Sequence, residues 1–291
     1  MKTLLADLVK DAPVILDGGW GTQLYAAGLP AGECPDLWNL SHAECVADVA
    51  RGYVAAGSRI ILTNTFRANR IALASYDAAA QAVEINRAGA SISRAAAGNQ
   101  ARVFGSIGPC GKMLIAREVT EDEVLNAFTE QARALADAGV DGIVIETMSS
   151  LAEAKLALAA ARATDLPVVA CMVFDSGKDK DRTMMGETPE QAAAELSAAG
   201  ADAIGANCGV GIDHYIAICR RFHAATDKPL WIKPNAGLPE FSHGTVTYRT
   251  DAATFAARAR VLAAEGAHFI GGCCGTTPEF IQALLRAVER G

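Results

Sequence analysis

Apolar and polar positions along this chain follow a repeating two-part pattern. Short runs rich in β-branched residues are each followed by a longer, Ala-rich stretch of helical period, which is the mark of parallel strands covered by helices. Eight such runs occur, at residues 14–19, 59–66, 102–108, 142–147, 167–174, 203–209, 230–237 and 268–275. Eight parallel strands with helices between them close a (β/α)8 TIM barrel, an α/β fold.

The helical stretches carry their own start and stop signals. Ser41 with Glu44, Thr120 with Glu123 and Ser150 with Glu153 have the spacing of capping boxes, which satisfy free amides of a first turn. Thr188-Pro189 and Thr277-Pro278 place proline at a first helical position, and Gly57, Gly139, Gly200 and Gly266 stand at expected helix ends. No linker or low-complexity block divides the sequence, so residues 1–291 are expected to form one domain. Three longer loops follow strands, at 20–40, 175–187 and 238–248, and in a barrel they would cover the mouth. The charges of residues 175–182 (DSGKDKDR) read as a solvated loop.

Composition narrows the class. With 51% hydrophobic and 20% charged residues the chain is globular, and no apolar run approaches the roughly 18 residues of a membrane span. A net charge of −7 gives no basic stripe, which argues against nucleic acid as a partner. The first residues are broken by Asp7, Lys10 and Asp11 and lack the apolar region of a secretory signal, so the expected location is the cytoplasm, with no membrane partner. Eight cysteines in a reducing compartment are free thiols or metal ligands rather than disulfides. Cys45, Cys171 and Cys219 read as buried thiols.

The remaining chemistry gathers at the strand ends. Asp17, Asn64, Ser106, Glu146, Asn207, Cys208, Asn235, Cys273 and Cys274 all fall at or near the carboxyl ends of the eight runs. A parallel barrel brings those ends to one face. In GGCCGTTP the adjacent Cys273 and Cys274 end the last run, and Cys208 in GANCGVG ends the sixth. Neighbouring residues of a regular strand point to opposite faces, so the two cysteines can share an ion only if the strand breaks there, which the flanking glycines permit. Three thiolates without a histidine favour zinc with one open position, the arrangement of a catalytic site. Cys110, after the third run, is an alternative third ligand. A closed structural metal, or two buried cysteines with no metal, are the other readings. Three thiolates bring zinc to a net charge of about −1, which suits activation of a substrate thiol better than activation of water. The bottom-up expectation is alkyl transfer to a thiol, with a zinc hydrolase as the weaker reading.

Seven segments in order, LDGGWGTQL (16–24), TNTFRANRIAL (63–73), GSIGP (105–109), IET (145–147), GANCGVG (205–211), KPNAGLP (233–239) and GGCCGTTPEFI (271–281), resemble the zinc-dependent homocysteine S-methyltransferase family across the whole chain. The resemblance implies a somewhat distorted (β/α)8 barrel in which Cys208, Cys273 and Cys274 hold zinc and the thiolate of L-homocysteine completes the coordination, attacking a methyl group to give methionine. It further implies that Asp17 and Glu146 hold the amino-acid portion of homocysteine, Glu146 facing the ammonium. The Gly18 and Gly19 amides or Ser106 would receive the carboxylate. Asn64 and Asn207 join the substrate-binding set, and Asn235 matches an asparagine that occupies the fourth zinc position until substrate displaces it.

The motifs are nearest to the methionine-synthase branch, whose folate, cobalamin and activation modules have no counterpart in these residues. The expected donor is therefore a small sulfonium or ammonium compound, S-methylmethionine favoured, or else methyl carried by a separate corrinoid or folate protein. Thr147 stands where the betaine branch has a tyrosine, which disfavours betaine. A different acceptor thiol and a non-catalytic thiol-binding module within an assembly are the remaining alternatives.

Overall fold

The computed structural model describes residues 2–242 and 245–289, so the ends of the predicted 1–291 domain and residues 243–244 of the predicted 238–248 loop lie outside the described residues. The eight parallel strands are β1 (Val14–Ile15), β2 (Ile60–Leu62), β3 (Arg102–Ile107), β4 (Gly142–Met148), β5 (Val168–Met172), β6 (Ala203–Cys208), β7 (Leu230–Pro234) and β8 (Ala267–Ile270). They lie side by side as β1-β8-β7-β6-β5-β4-β3-β2, and a parallel bridge between Leu16 and Ile60 joins the two ends into a barrel. Every predicted run contributes one strand, and helices follow between them, as a TIM barrel requires.

The distortion lies in the strands that carry the ends of the ring. β1 has two residues and β2 three, so their seam rests on the Leu16–Ile60 bridge and on the Arg59 amide donating to the Ile15 carbonyl at 2.8 Å. Strands 1, 2 and 8 stop earlier than their apolar runs, because the residues that follow are glycines and polar side chains with tertiary partners.

Two apolar layers hold the barrel. Leu16, Leu62, Phe104, Val144, Val169, Cys171, Trp231 and Phe269 fill the interior, where Leu5 and Leu8 of the helix Thr3–Leu8 join them. Trp231 packs against Phe104 and Phe269 with ring centroids 5.9 and 5.2 Å away. The larger layer lies between strands and helices and includes Val46, Phe128, Leu158, Phe222 and Ile281. No described helix is long and apolar enough to cross a membrane.

The capping signals resolve unequally. Thr120 makes the full reciprocal box with Glu123, and Thr188 makes one with Gln191 ahead of Pro189. Ser150 accepts from the Glu153 amide, but the Glu153 carboxylate turns away to take the Cys110 amide at 2.6 Å. Ser41 caps nothing: it ends the short helix Trp38–Ser41 and donates to the Leu37 carbonyl, and His42 stands at the cap of the helix Ala43–Ala55 instead.

The loops also carry more order than their composition suggests. Residues 20–40 contain the helix Trp20–Ala26 and a turn at Pro35–Leu37, and strands Glu240–Ser242 and Thr245–Thr247 form a hairpin after β7. In the polar loop Ser176 bridges Arg182, and Asp181 is drawn in by Arg221 at 2.5 Å rather than left to solvent.

Packing between β6 and β7 is tightest at Gly205, where a Cβ would sit 1.7 Å from the Trp231 carbonyl oxygen. That neighbour is backbone and cannot swing aside. Gly205→Ala is therefore expected to destabilise the protein by at least about 3 kcal/mol, read as a lower urea midpoint. An unchanged midpoint would show that the two strands can separate.

Candidate metal and acceptor site

Three cysteines meet at the carboxyl end of the barrel. Cys208 is the last residue of β6 and takes a left-handed backbone conformation, φ 67°. The chain leaving β8 stays hooked to its neighbours: the Gly271 amide donates to the Ile232 carbonyl, Gly272 to Asp17 and Cys273 to Pro234. The Cys274 amide then donates to Asn235 Oδ1 at 2.9 Å, and the Cys274 carbonyl accepts from Ala236. Regular alternation thus ends before the cysteines. Their sulfurs, with that of Cys208, all lie within 4.8 Å of one another, with Cys208 and Cys274 3.9 Å apart.

Sulfurs bound tetrahedrally at about 2.3 Å from one zinc would be spaced by about 3.8 Å, so the triad needs only small movements to hold such an ion. Each sulfur also shifts the acidity of its neighbours. Hydrogen bonds from Cys273 and Cys274 lower the Cys208 thiol well below its ordinary value. The same bond to Cys208 pushes Cys273 up to about 12, and Cys274 rises further. Three thiolates this close need a cation between them. Cys110 is buried elsewhere, its sulfur 3.5 Å from the Lys112 carbonyl, and does not join the cluster. Cys171 and Cys219 are buried in the packing and Cys45 partly so.

Beside the thiols lies a buried group of charges. Asp17, 1% exposed, accepts from the Leu62 amide and the Trp20 indole at 2.7 Å each, and its other oxygen takes the Lys233 ammonium. Burial opposes the charge on Lys233, yet Asp17 and Glu146 together hold its pKa above the ordinary lysine value. Glu146 receives the Ser106 hydroxyl at 2.5 Å and the Asn207 amide at 3.3 Å. Burial pushes its carboxyl up to about 7, against the pull of Lys233.

Asn207 organises the corner between β4 and β6. Its Oδ1 accepts from the Thr147 amide and its Nδ2 donates to Thr147 Oγ1, both at 2.7 Å, while the same Nδ2 lies 3.8 Å from Cys273 Sγ. Thr147 is left-handed, φ 60°, an unfavourable state for a β-branched residue, and Asn207 holds it there. Asn235 is committed on both sides, to Gly209 through Nδ2 and to Cys274 through Oδ1, so in this conformation it orients the cysteine loop. Asn64 anchors the turn at Pro35 and the side chain of Asn39.

A cavity of 290 Å³ opens over this assembly, lined by Gly18, Gly19, Asn64, Ser106, Glu146, Lys233 and the three cysteines, with Trp20, Asp36, Phe66 and Arg67 also on its wall. A larger depression of 600 Å³, between Arg59, Arg94 and Arg102, lies at the amino-terminal face of the barrel, away from this chemistry. Asp17, Asn207 and Asn235 support the cavity and do not line it. Gly19 sits where a Cβ would meet the Cys273 carbonyl at 2.6 Å, and its amide donates to Thr276 Oγ1 at 3.1 Å.

Sequence reasoning missed Lys233, Thr276, Tyr53 and Asp36. Lys233 left a signal, a charge inside the apolar strand Leu230–Pro234. Tyr53, whose hydroxyl donates to the Gly19 and Thr276 carbonyls, left none, because it reads as one more apolar position of its helix.

With this geometry established, comparison with known proteins gives a consistent picture. The family model for homocysteine S-methyltransferase matches residues 14–288. The methionine synthases of Mycobacterium tuberculosis (strain ATCC 25618 / H37Rv) and Mycobacterium leprae (strain TN) are 30% and 28% identical over 98% and 99% of this chain. The chain spans 25% of the length of each of these relatives. The metallated form of the homocysteine methyltransferase MmuM from Escherichia coli shares the fold, with a TM-score of 0.79 at 24% identity, over 97% of this chain and 99% of that one.

Asp36 offers a test of the cavity wall. Only 1% exposed, it accepts from the Arg67 amide at 2.9 Å, and burial raises its carboxyl to about 6. A carboxyl held above its ordinary value binds its proton more tightly folded than unfolded, so its cost to stability is full above about pH 6 and fades as pH falls toward 4. Asp36→Asn is expected to gain on the order of 1–3 kcal/mol at pH 8 and to match the wild type near pH 4, by thermal unfolding at both values. A loss at pH 8 would mean that the charged hydrogen bond outweighs burial.

Proposed function

The chain belongs to the homocysteine S-methyltransferase family, and on that premise we propose that it transfers a methyl group from a small sulfonium donor, S-methylmethionine foremost, to the thiolate of L-homocysteine, giving methionine. The observation that carries the proposal is the convergence of Cys208, Cys273 and Cys274 within 4.8 Å on a cavity that also exposes Glu146. A zinc ion held by these three sulfurs would keep one position for a substrate sulfur and stabilise it as a thiolate at neutral pH.

The protein's own residues then bind and orient. Glu146 takes the α-ammonium of the acceptor, since a buried carboxylate is the partner such a charge needs. Ser106 and Asn207 fix the direction of that carboxylate. Asn207 also ties the Glu146 segment to Cys273, so the acceptor's two ends are held by one connected network. Asn235 holds the Cys274 loop, and release of its Oδ1 from the Cys274 amide would be needed for it to serve as a displaceable fourth ligand. Water activation is the poorer use of the site, because three thiolates leave the ion with little residual positive charge.

A second reading concerns the donor alone. In the mycobacterial methionine synthases this barrel corresponds to 25% of the chain, which favours methyl delivery by a separate corrinoid or folate protein. Methionine formation from L-homocysteine, with S-methylmethionine, S-adenosylmethionine, betaine, dimethylsulfoniopropionate and a methylated corrinoid offered separately, decides between them. Turnover with S-methylmethionine by the isolated protein is the expected result. Turnover with the corrinoid alone would move the proposal to the second reading, and none with any donor would count against both.

The metal assignment has its own test. Cys208→Ser and Cys273→Ser are each expected to reduce bound zinc from stoichiometric to near zero and activity by at least roughly a hundredfold, measured by elemental analysis and methionine formation. Full zinc with full activity in both variants would refute it.

A further inference from the structure

Lys233 is a buried cation that the structure does not fully satisfy. It lies in β7 opposite Asn207, 2% exposed, and is the one lysine lining the cavity. An ammonium carries three donors, and among the described residues Lys233 makes one hydrogen bond, to Asp17 Oδ1. Glu146 is near enough to act on it electrostatically but makes no hydrogen bond with it. Buried donors without partners are costly, and these belong to a charged group at the wall of a ligand cavity.

The surrounding contacts narrow what could satisfy them. The Gly19 amide is taken by Thr276, and the Ser106 hydroxyl is given to Glu146. Arg67 also lines the cavity but is exposed and donates to Tyr76, which leaves Lys233 as the buried charged donor of the wall. Asp17 neither lines the cavity nor moves freely: the Leu62 amide and the Trp20 indole fix its carboxylate, and so it fixes Lys233. Of the buried charged groups that line the cavity, Lys233 is the cation and Glu146, which acts on it electrostatically, is the anion beside it, whereas Asp36 is taken by the Arg67 amide and the Cys34 thiol. The ligand that complements such a pair carries an anion and a cation on neighbouring atoms, as an α-amino acid does.

We propose that Lys233 binds the α-carboxylate of the acceptor while Glu146 binds its α-ammonium, so that the pair selects amino-acid thiols over simple thiols. The proposal rests on the acceptor reading above and makes Lys233 a specificity determinant rather than part of the methyl transfer. The resemblance implies the Gly18 and Gly19 amides or Ser106 as carboxylate partners; Gly19 and Ser106 donate elsewhere, and Lys233 adds a charged side chain from β7.

Calorimetric binding to the zinc-loaded protein separates the carboxylate from the rest of the ligand. L-Methionine and 3-(methylthio)propylamine differ only by the carboxylate. In Lys233→Gln, which can still donate to Asp17, the Kd for L-methionine is expected to rise about tenfold or more, as for loss of a charged hydrogen bond, while that for the amine stays within about twofold. Equal weakening of both ligands, or of neither, overturns the proposal. Should Lys233→Gln fail to fold, the double variant Lys233→Met with Asp17→Asn removes both charges together and is read by the same ratio. If the wild type binds L-methionine but turns over no homocysteine with any donor, the reaction fails as a reading while the carboxylate contact stands or falls on the ratio. If the wild type binds no L-methionine, both fall.

Discussion

The carboxylate of Asp17 is the point on which barrel closure and the site both depend. It leaves β1 and reaches β2 through the Leu62 amide, the following helix through Trp20 and β7 through Lys233. The β1–β2 seam has few backbone contacts of its own, and charge-assisted hydrogen bonds are about twice as strong as neutral ones. Removing one partner of a buried ion pair leaves the other charge uncompensated, at a cost of about 3–5 kcal/mol. The four segments around Asp17 are thus held in one mutual arrangement, and the cavity takes its shape from that arrangement.

The thiols rest on this frame through backbone rather than side-chain contacts. Cys208 and the Cys273–Cys274 loop flank β7, and Pro234, Asn235 and Ala236 between them bond to both sides. A shift of β7 would therefore move all three sulfurs. Close approach is possible because Gly19 and Gly272 carry no Cβ where the Cys273 carbonyl and Thr276 crowd in. The backbone thus brings the three sulfurs close to the spacing that one tetrahedral ion needs.

Two left-handed residues that are not glycine, Thr147 and Cys208, directly follow Glu146 and Asn207. Such conformations cost on the order of 1 kcal/mol or more and persist only where neighbours determine them. Here the side chain of Asn207 clamps Thr147 from both sides, and its carbonyl accepts the Tyr215 hydroxyl at 2.7 Å. The strain turns Glu146 and Cys208 toward one cavity from strands separated by β5.

Much of this was legible in the chain. The eight apolar runs, the capping signals of Thr120 and Thr188, and the cysteines at the ends of the sixth and eighth runs are local features, set by period and residue type, and so the sequence by itself determined the barrel and the identity of its thiols. Lys233 could have been noticed as a charge within an apolar strand, but its partner lies 216 residues away, and no local pattern tells Asp17 that its charge is spent inside the protein. Ser41 had the spacing of a cap and lost that role to the packing of the helix before it. What only the tertiary structure decided is which polar groups face the cavity and which brace it, because that choice belongs to contacts between strands far apart in sequence, where each buried donor takes the partner that burial leaves within reach.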